Sequence, residues 1–104
     1  APIQEFLEAL RATDPVLERL LTAGLKKLRN GSLHGPPFTK QVDKADDIFE
    51  LRVGGANIAR AFFFFRRGQK IVVTNGYVKK SRKVDAAELE RARRYKRDWE
   101  ARAS

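Results

Sequence analysis

The sequence predicts an α+β fold: two N-terminal helices packed on a small, mainly antiparallel twisted sheet of about four strands, with a basic helix at the C-terminus. Three observations carry that prediction. Apolar residues recur every three to four positions as far as Leu28, a period of two governs Phe38 to Val78, and helical spacing returns after Asp85. A length of 104 residues suits a single domain, residues 1–104, and no internal repeat divides it.

Each element follows from local chemistry. Ile3, Phe6, Leu7 and Leu10 form one stripe, which predicts a helix over Ala1 to Ala12. Thr13-Asp14-Pro15 interrupts it and starts a second helix, with Asp14 as N-cap and Pro15 in the first helical position. Leu17, Leu20, Leu21, Leu25 and Leu28 continue the period until Asn30-Gly31 supplies a left-handed stop. The Gly/Pro-rich run from Gly31 to Pro37 is a loop. A short strand from Phe38 to Val42 and a turn at residues 44–47 come next. Strands Ile48 to Val53, Asn57 to Phe65 and Ile71 to Val78, hinged at Gly54-Gly55 and at residues 66–69, complete a meander. In the third strand Ala59, Ala61, Phe63 and Phe65 face one way, while Arg60 shares the other face with Ile58, Phe62 and Phe64. Asp85 and Glu88 have capping-box spacing, and Leu89, Ala92 and Trp99 mark the side by which the last helix docks.

Composition excludes several chemistries. Without cysteine there is no disulfide, zinc-thiolate site or thiol nucleophile. His34, the single histidine, sits in the Gly/Pro loop, so no two-histidine nuclease pair can form, and a solvent-side loop position is expected for it. Gly54-Gly55 lacks the helix N-terminus that a phosphate loop needs. Asp43, Asp46 and Asp47 lack calcium-loop spacing and read as a solvated turn. Neither a metal nor a cofactor is expected. The longest apolar run, Ala61 to Phe65, is too short to span a bilayer, and the acidic N-terminal stretch is no signal peptide, so a cytoplasmic location is expected.

The net charge of +9 is unevenly placed. Residues 1–59 hold eight Lys/Arg and eight Asp/Glu, whereas residues 60–104 hold fourteen and five. Lys79-Lys80-Ser81-Arg82-Lys83 follows an apolar strand directly, and Arg91, Arg93, Arg94, Arg97 and Arg102 populate the last helix. Lysines on an edge strand can serve only to block edge-to-edge pairing. Four cations in five positions ahead of an arginine-rich helix fit better with a groove for a phosphate backbone, with Tyr77, Phe62 and Phe64 placed to stack on bases.

Phe49-Glu-Leu-Arg52, the strand Asn57-Ile-Ala-Arg-Ala-Phe-Phe-Phe-Phe65, Asn75-Gly-Tyr-Val-Lys-Lys80 and Glu88-Leu-Glu-Arg-Ala92 resemble the HigB-type branch of the RelE toxin superfamily, which includes phage-derived host-inhibition proteins. The resemblance covers nearly the whole chain, and Glu5-Phe-Leu-Glu8 and Pro37-Phe-Thr-Lys40 agree with it. Two departures stand out. Asn75-Gly76-Tyr77 replaces the His-Gly-Phe usual in the family, and the strand that the family places ahead of its first helix is expected to be missing from residues 1–104.

The resemblance implies the toxin of a type II toxin–antitoxin pair, an endoribonuclease that cuts translated mRNA on the ribosome and is silenced by a cognate antitoxin, expected to be a helix-turn-helix protein. The implied chemistry uses the RNA's own 2′-hydroxyl as nucleophile on the adjacent phosphate and needs no metal. Arg60 matches the arginine of the family's central strand and is assigned to transition-state charge. Lys79 and Lys80 would reach the same phosphate, and one of them is a candidate general base. Arg52 is a further catalytic candidate, and Glu50 is either a base or the ion-pair partner of Arg52 or Arg60. Lys40, Tyr77, Arg82, Lys83, Arg91 and Arg94 are expected to bind RNA. A non-catalytic RNA- or ribosome-binding protein sharing the fold remains the alternative.

Overall fold

The computed structural model describes residues 1–32, 35–67, 70–81 and 83–103. Their order is α1 (Pro2–Thr13), α2 (Pro15–Arg29), β1 (Thr39–Asp43), β2 (Ile48–Gly54), β3 (Ile58–Phe65), β4 (Ile71–Lys79) and α3 (Ala86–Ala103). His34 and Arg82 lie outside the described residues.

The helix boundaries arise as their capping chemistry requires. Asp14 closes α1 and caps α2, its carboxylate accepting the Leu17 amide at 3.1 Å. Beyond Asn30, Gly31 takes a φ of 76°, which lets the Gly31 and Ser32 amides bond back to Leu28 and Lys27. Phe38 falls outside β1, contrary to the expectation from its alternation. The Phe38 and Thr39 amides both donate to Gly35 O, which keeps Phe38 in the turn while its carbonyl accepts from Arg52 N.

The four strands form one antiparallel meander in the order β1-β2-β3-β4. Both faces are covered. On one, α1 and α2 lay Ile3, Leu10, Leu17, Leu21, Leu25 and Leu28 against Leu51, Ala59, Ala61 and Phe63. On the other, α3 sets Leu89 and Ala92 over Ile48, Phe62 and Tyr77. Phe62 stacks on Tyr77 at 5.6 Å, and Phe64 meets Trp99 edge-on at 5.5 Å. These rings are core residues, so α3 leaves no face of Phe62 or Phe64 for a base.

A bulge in β4 positions everything downstream. Ala61 pairs with Gly76 and Phe63 with Val73, so Thr74 and Asn75 together oppose Phe62. The Asn75 amide donates to the Glu88 carbonyl at 3.1 Å and its carboxylate at 3.2 Å, which ties β4 to the first turn of α3. Asn75, which stands where the resemblance leads one to expect histidine, is therefore a buried strut. No helix among the described residues is long and apolar enough to cross a membrane.

Candidate nucleic-acid interface

Strand register sets the cationic row. Arg52, Arg60 and Tyr77 are direct cross-strand partners on the α3 side of the sheet, and Lys79 follows Tyr77 on that same side, opposite Ile58. Lys40 pairs with Glu50, so it shares this face from the edge strand. Arg60 and Lys79 thus point to one side of the molecule. Lys80 is the first residue beyond β4 and is exposed.

Glu50 organises the row. Its side chain is fully buried, and its two oxygens accept from Arg52 Nε at 2.5 Å and from the Tyr77 hydroxyl at 3.0 Å. Arg60 Nη1 stands 3.5 Å from the same carboxylate. Two guanidinium groups on one carboxylate leave a local surplus of positive charge, carried toward solvent by Arg52. Burial is the main influence raising the Tyr77 hydroxyl's pKa; the negative charge of Glu50 adds to it, and the Asp85 amide opposes it. That hydroxyl is therefore neutral near pH 7, and it also accepts the Asp85 amide at 3.0 Å.

Arg60 is placed differently from a surface phosphate clamp. Its side chain has no exposure, because the backbone after β4 crosses over it and turns two carbonyls down. Nη1 donates to Lys83 O at 3.3 Å and Nη2 donates to Ser81 O. A buried guanidinium with this many acceptors holds the Ser81 and Lys83 carbonyls in place. The cations above that backbone are the accessible ones: Lys80 and Lys83 are exposed, and Lys79 is partly so, with its ammonium 3.9 Å from Asp85. Tyr77, expected to stack on bases, is 8% exposed and committed to Phe62, Glu50 and Asp85.

The arginines of α3 divide by side. Arg93 binds Asp43 at 2.5 Å, Asp46 at 3.6 Å and Glu90 at 3.0 Å, Lys96 donates to Asp46 O, and Arg97 lies 3.7 Å from Asp46. These three fasten the helix to the β1–β2 turn. Arg91 and Arg94 remain on the open side beside Tyr95 and Asp98, around a shallow cavity of about 330 Å³. Arg91 is braced by Glu88 at 3.0 Å and by the Tyr95 hydroxyl at 3.3 Å, and Arg94 is exposed.

A family model described as "Phage derived protein Gp49-like (DUF891)" matches residues 8–97. The chain belongs to that family. The Gp49-like family is toxin-like and related to RelE and HigB. No curated protein and no solved structure matches the chain. In this Gp49-like protein, no group of three or more acidic or histidine side chains among the described residues is placed to hold a metal ion.

Two participants escaped the sequence reading. Asp85 was legible only as a helix cap, yet its amide also donates to the Tyr77 hydroxyl and its carboxylate faces Lys79. Ser81 acts through its carbonyl, which no side-chain pattern announces.

Proposed function

We propose that this Gp49-like protein is a HigB-type toxin of a type II toxin–antitoxin pair and acts in the cytoplasm as a ribosome-dependent endoribonuclease on translated mRNA. The observation that carries the reading is the cationic row. Arg52 and Lys79 lie on one sheet face, Arg52 on the buried Glu50 carboxylate, and the exposed Lys80 and Lys83 follow Lys79 along the chain.

The chemistry requires an in-line 2′-hydroxyl, removal of its proton, stabilisation of the charged phosphorane and protonation of the departing 5′-oxygen. Lys79, Lys80 and Arg52 supply donors for the non-bridging oxygens, each worth ~3 kcal/mol when pre-aligned. One of the two lysines is assigned to take the 2′-hydroxyl proton, and the other to give a proton to the departing 5′-oxygen. Arg60 contributes by position: it holds the Ser81 and Lys83 carbonyls, next to Lys80 and on Lys83. Lys40, Lys83, Arg91 and Arg94, together with Arg82, bind flanking mRNA or ribosomal RNA through phosphate contacts. A cognate antitoxin masks the surface.

One observation favours a second reading, a non-catalytic RNA- or ribosome-binding protein. The Arg60 guanidinium is enclosed by protein acceptors. Mapping new 5′ ends in cellular mRNA after induction separates the two. Cleavage within codons, lost in Lys79→Ala/Lys80→Ala with the melting curve retained, supports the nuclease. Growth arrest with intact transcripts supports the binder.

A further inference from the structure

An open cleft of about 570 Å³ lies between α2 and the Gly54 end of the sheet. Leu20, Phe38, Val53 and Ile58 form its apolar wall, and Lys27 and Arg52 are its charged members. Leu20 is 48% exposed and Phe38 47%, two of the four large hydrophobic side chains exposed among the described residues. A third, Val16 at 57%, stands one helical turn before Leu20 and extends the stripe. A contiguous exposed apolar patch rimmed by polar groups is the mark of an interaction surface.

The chemistry of the rim selects the occupant. None of the residues lining the cleft is acidic. Arg19 and Lys26 add exposed positive charge along α2, and Glu18, the acid nearest Leu20 in sequence, is taken up by Arg11 at 3.2 Å and Thr22 at 2.6 Å. A second copy of the chain would bring its own net +9 against this rim. An RNA strand would find apolar side chains where its phosphates need donors. An amphipathic helix with acidic flanks satisfies both the trough and its rim.

We propose that this cleft docks an acidic amphipathic helical segment of the antitoxin. The proposal rests on the toxin–antitoxin reading above and gives it a place. Arg52 belongs both to the cleft and to the cationic row, so a segment seated here touches one end of the candidate active surface. Neutralisation then works by direct contact with that row.

The test uses the full chain purified in complex with the protein encoded beside it, compared with the free chain by hydrogen exchange. The expected result is protection over residues 16–27 and around Phe38. Leu20→Asp and Phe38→Asp, made singly at positions already exposed, are each expected to weaken the complex by about thirtyfold or more while leaving the melting curve unchanged. Added salt weakens the wild-type complex further. The proposal is overturned by protection confined to β4 and α3, by wild-type affinity in both variants, or by failure of the neighbouring protein to bind. It is equally overturned if Leu20→Asp instead abolishes self-association of the free chain or its binding to a ribosomal RNA oligonucleotide. Loss of mRNA cleavage in Lys79→Ala/Lys80→Ala reads the nuclease assignment independently. Cleaved mRNA with an indifferent Leu20→Asp condemns only the docking site, and intact mRNA with a sensitive one condemns only the nuclease.

Discussion

Glu50→Gln keeps the side-chain shape and deletes one charge, which makes it a direct probe of the cationic row. In the folded protein this carboxylate has no solvent access and faces Arg52, Tyr77 and Arg60 at 2.5, 3.0 and 3.5 Å. A glutamine still accepts one hydrogen bond there, but the buried Arg60 loses the negative charge that compensates it. Breaking one side of a buried ion pair costs ~3–5 kcal/mol, against ~0–1 kcal/mol for a surface pair such as Arg102 and Asp98. The reverse deletion, Arg60→Met, is expected to cost less, ~1–3 kcal/mol. Glu50 keeps Arg52 and Tyr77, and the freed Ser81 and Lys83 carbonyls belong to exposed residues that water can reach. Equilibrium urea unfolding followed by circular dichroism measures both, and Glu50→Gln should also lower the melting temperature by more than about 10 °C. A loss below about 1 kcal/mol for Glu50→Gln, or a larger loss for Arg60→Met, refutes the assignment of Glu50 as the buried counter-charge.

Gly76→Ala should destabilise by ~1–3 kcal/mol, read as a shift in the urea midpoint. A methyl group there would stand 2.5 Å from the Phe6 ring and 2.7 Å from the Arg60 carbonyl, and the backbone oxygen cannot step aside. The hydrogen bond from Arg93 is the main cause holding Asp43 below its ordinary pKa, so its contribution to stability is fully present above the unfolded value of about 4 and disappears as pH falls through the lower folded value. The stability gap between the wild type and Asp43→Asn should therefore be flat from neutrality to about pH 5 and close below about pH 4; a gap unchanged at pH 3 contradicts the pairing.

Local rules made the framework readable. Asp14-Pro15 and Asn30-Gly31 punctuate the helices through chemistry contained in four residues, and alternation over Ile48–Val53 and Asn57–Phe65 assigns each side chain to a face. What local rules missed was contact at long range. The basic count of α3 overstated its free cations because Arg93, Lys96 and Arg97 are taken up by Asp43 and Asp46, about fifty residues earlier. Phe62 and Phe64 offer an aromatic surface in the strand pattern, and only the docked helix turns them into core. The enclosure of Arg60 depends on carbonyls in a segment without periodicity, so no spacing argument could find it. The bulge at Thr74 and Asn75 likewise left no mark in the alternation beyond a pair of polar residues inside an apolar strand.

The meander has a consequence for biosynthesis. Each strand pairs with its neighbour along the chain, so α1, α2 and the sheet can assemble in the order in which they are translated, whereas α3 arrives after β4 is complete. Until that helix clears the exit tunnel, the nascent sheet displays Phe62 and Phe64 to water, and the emergence of residues 86–103 is the event that seals them away.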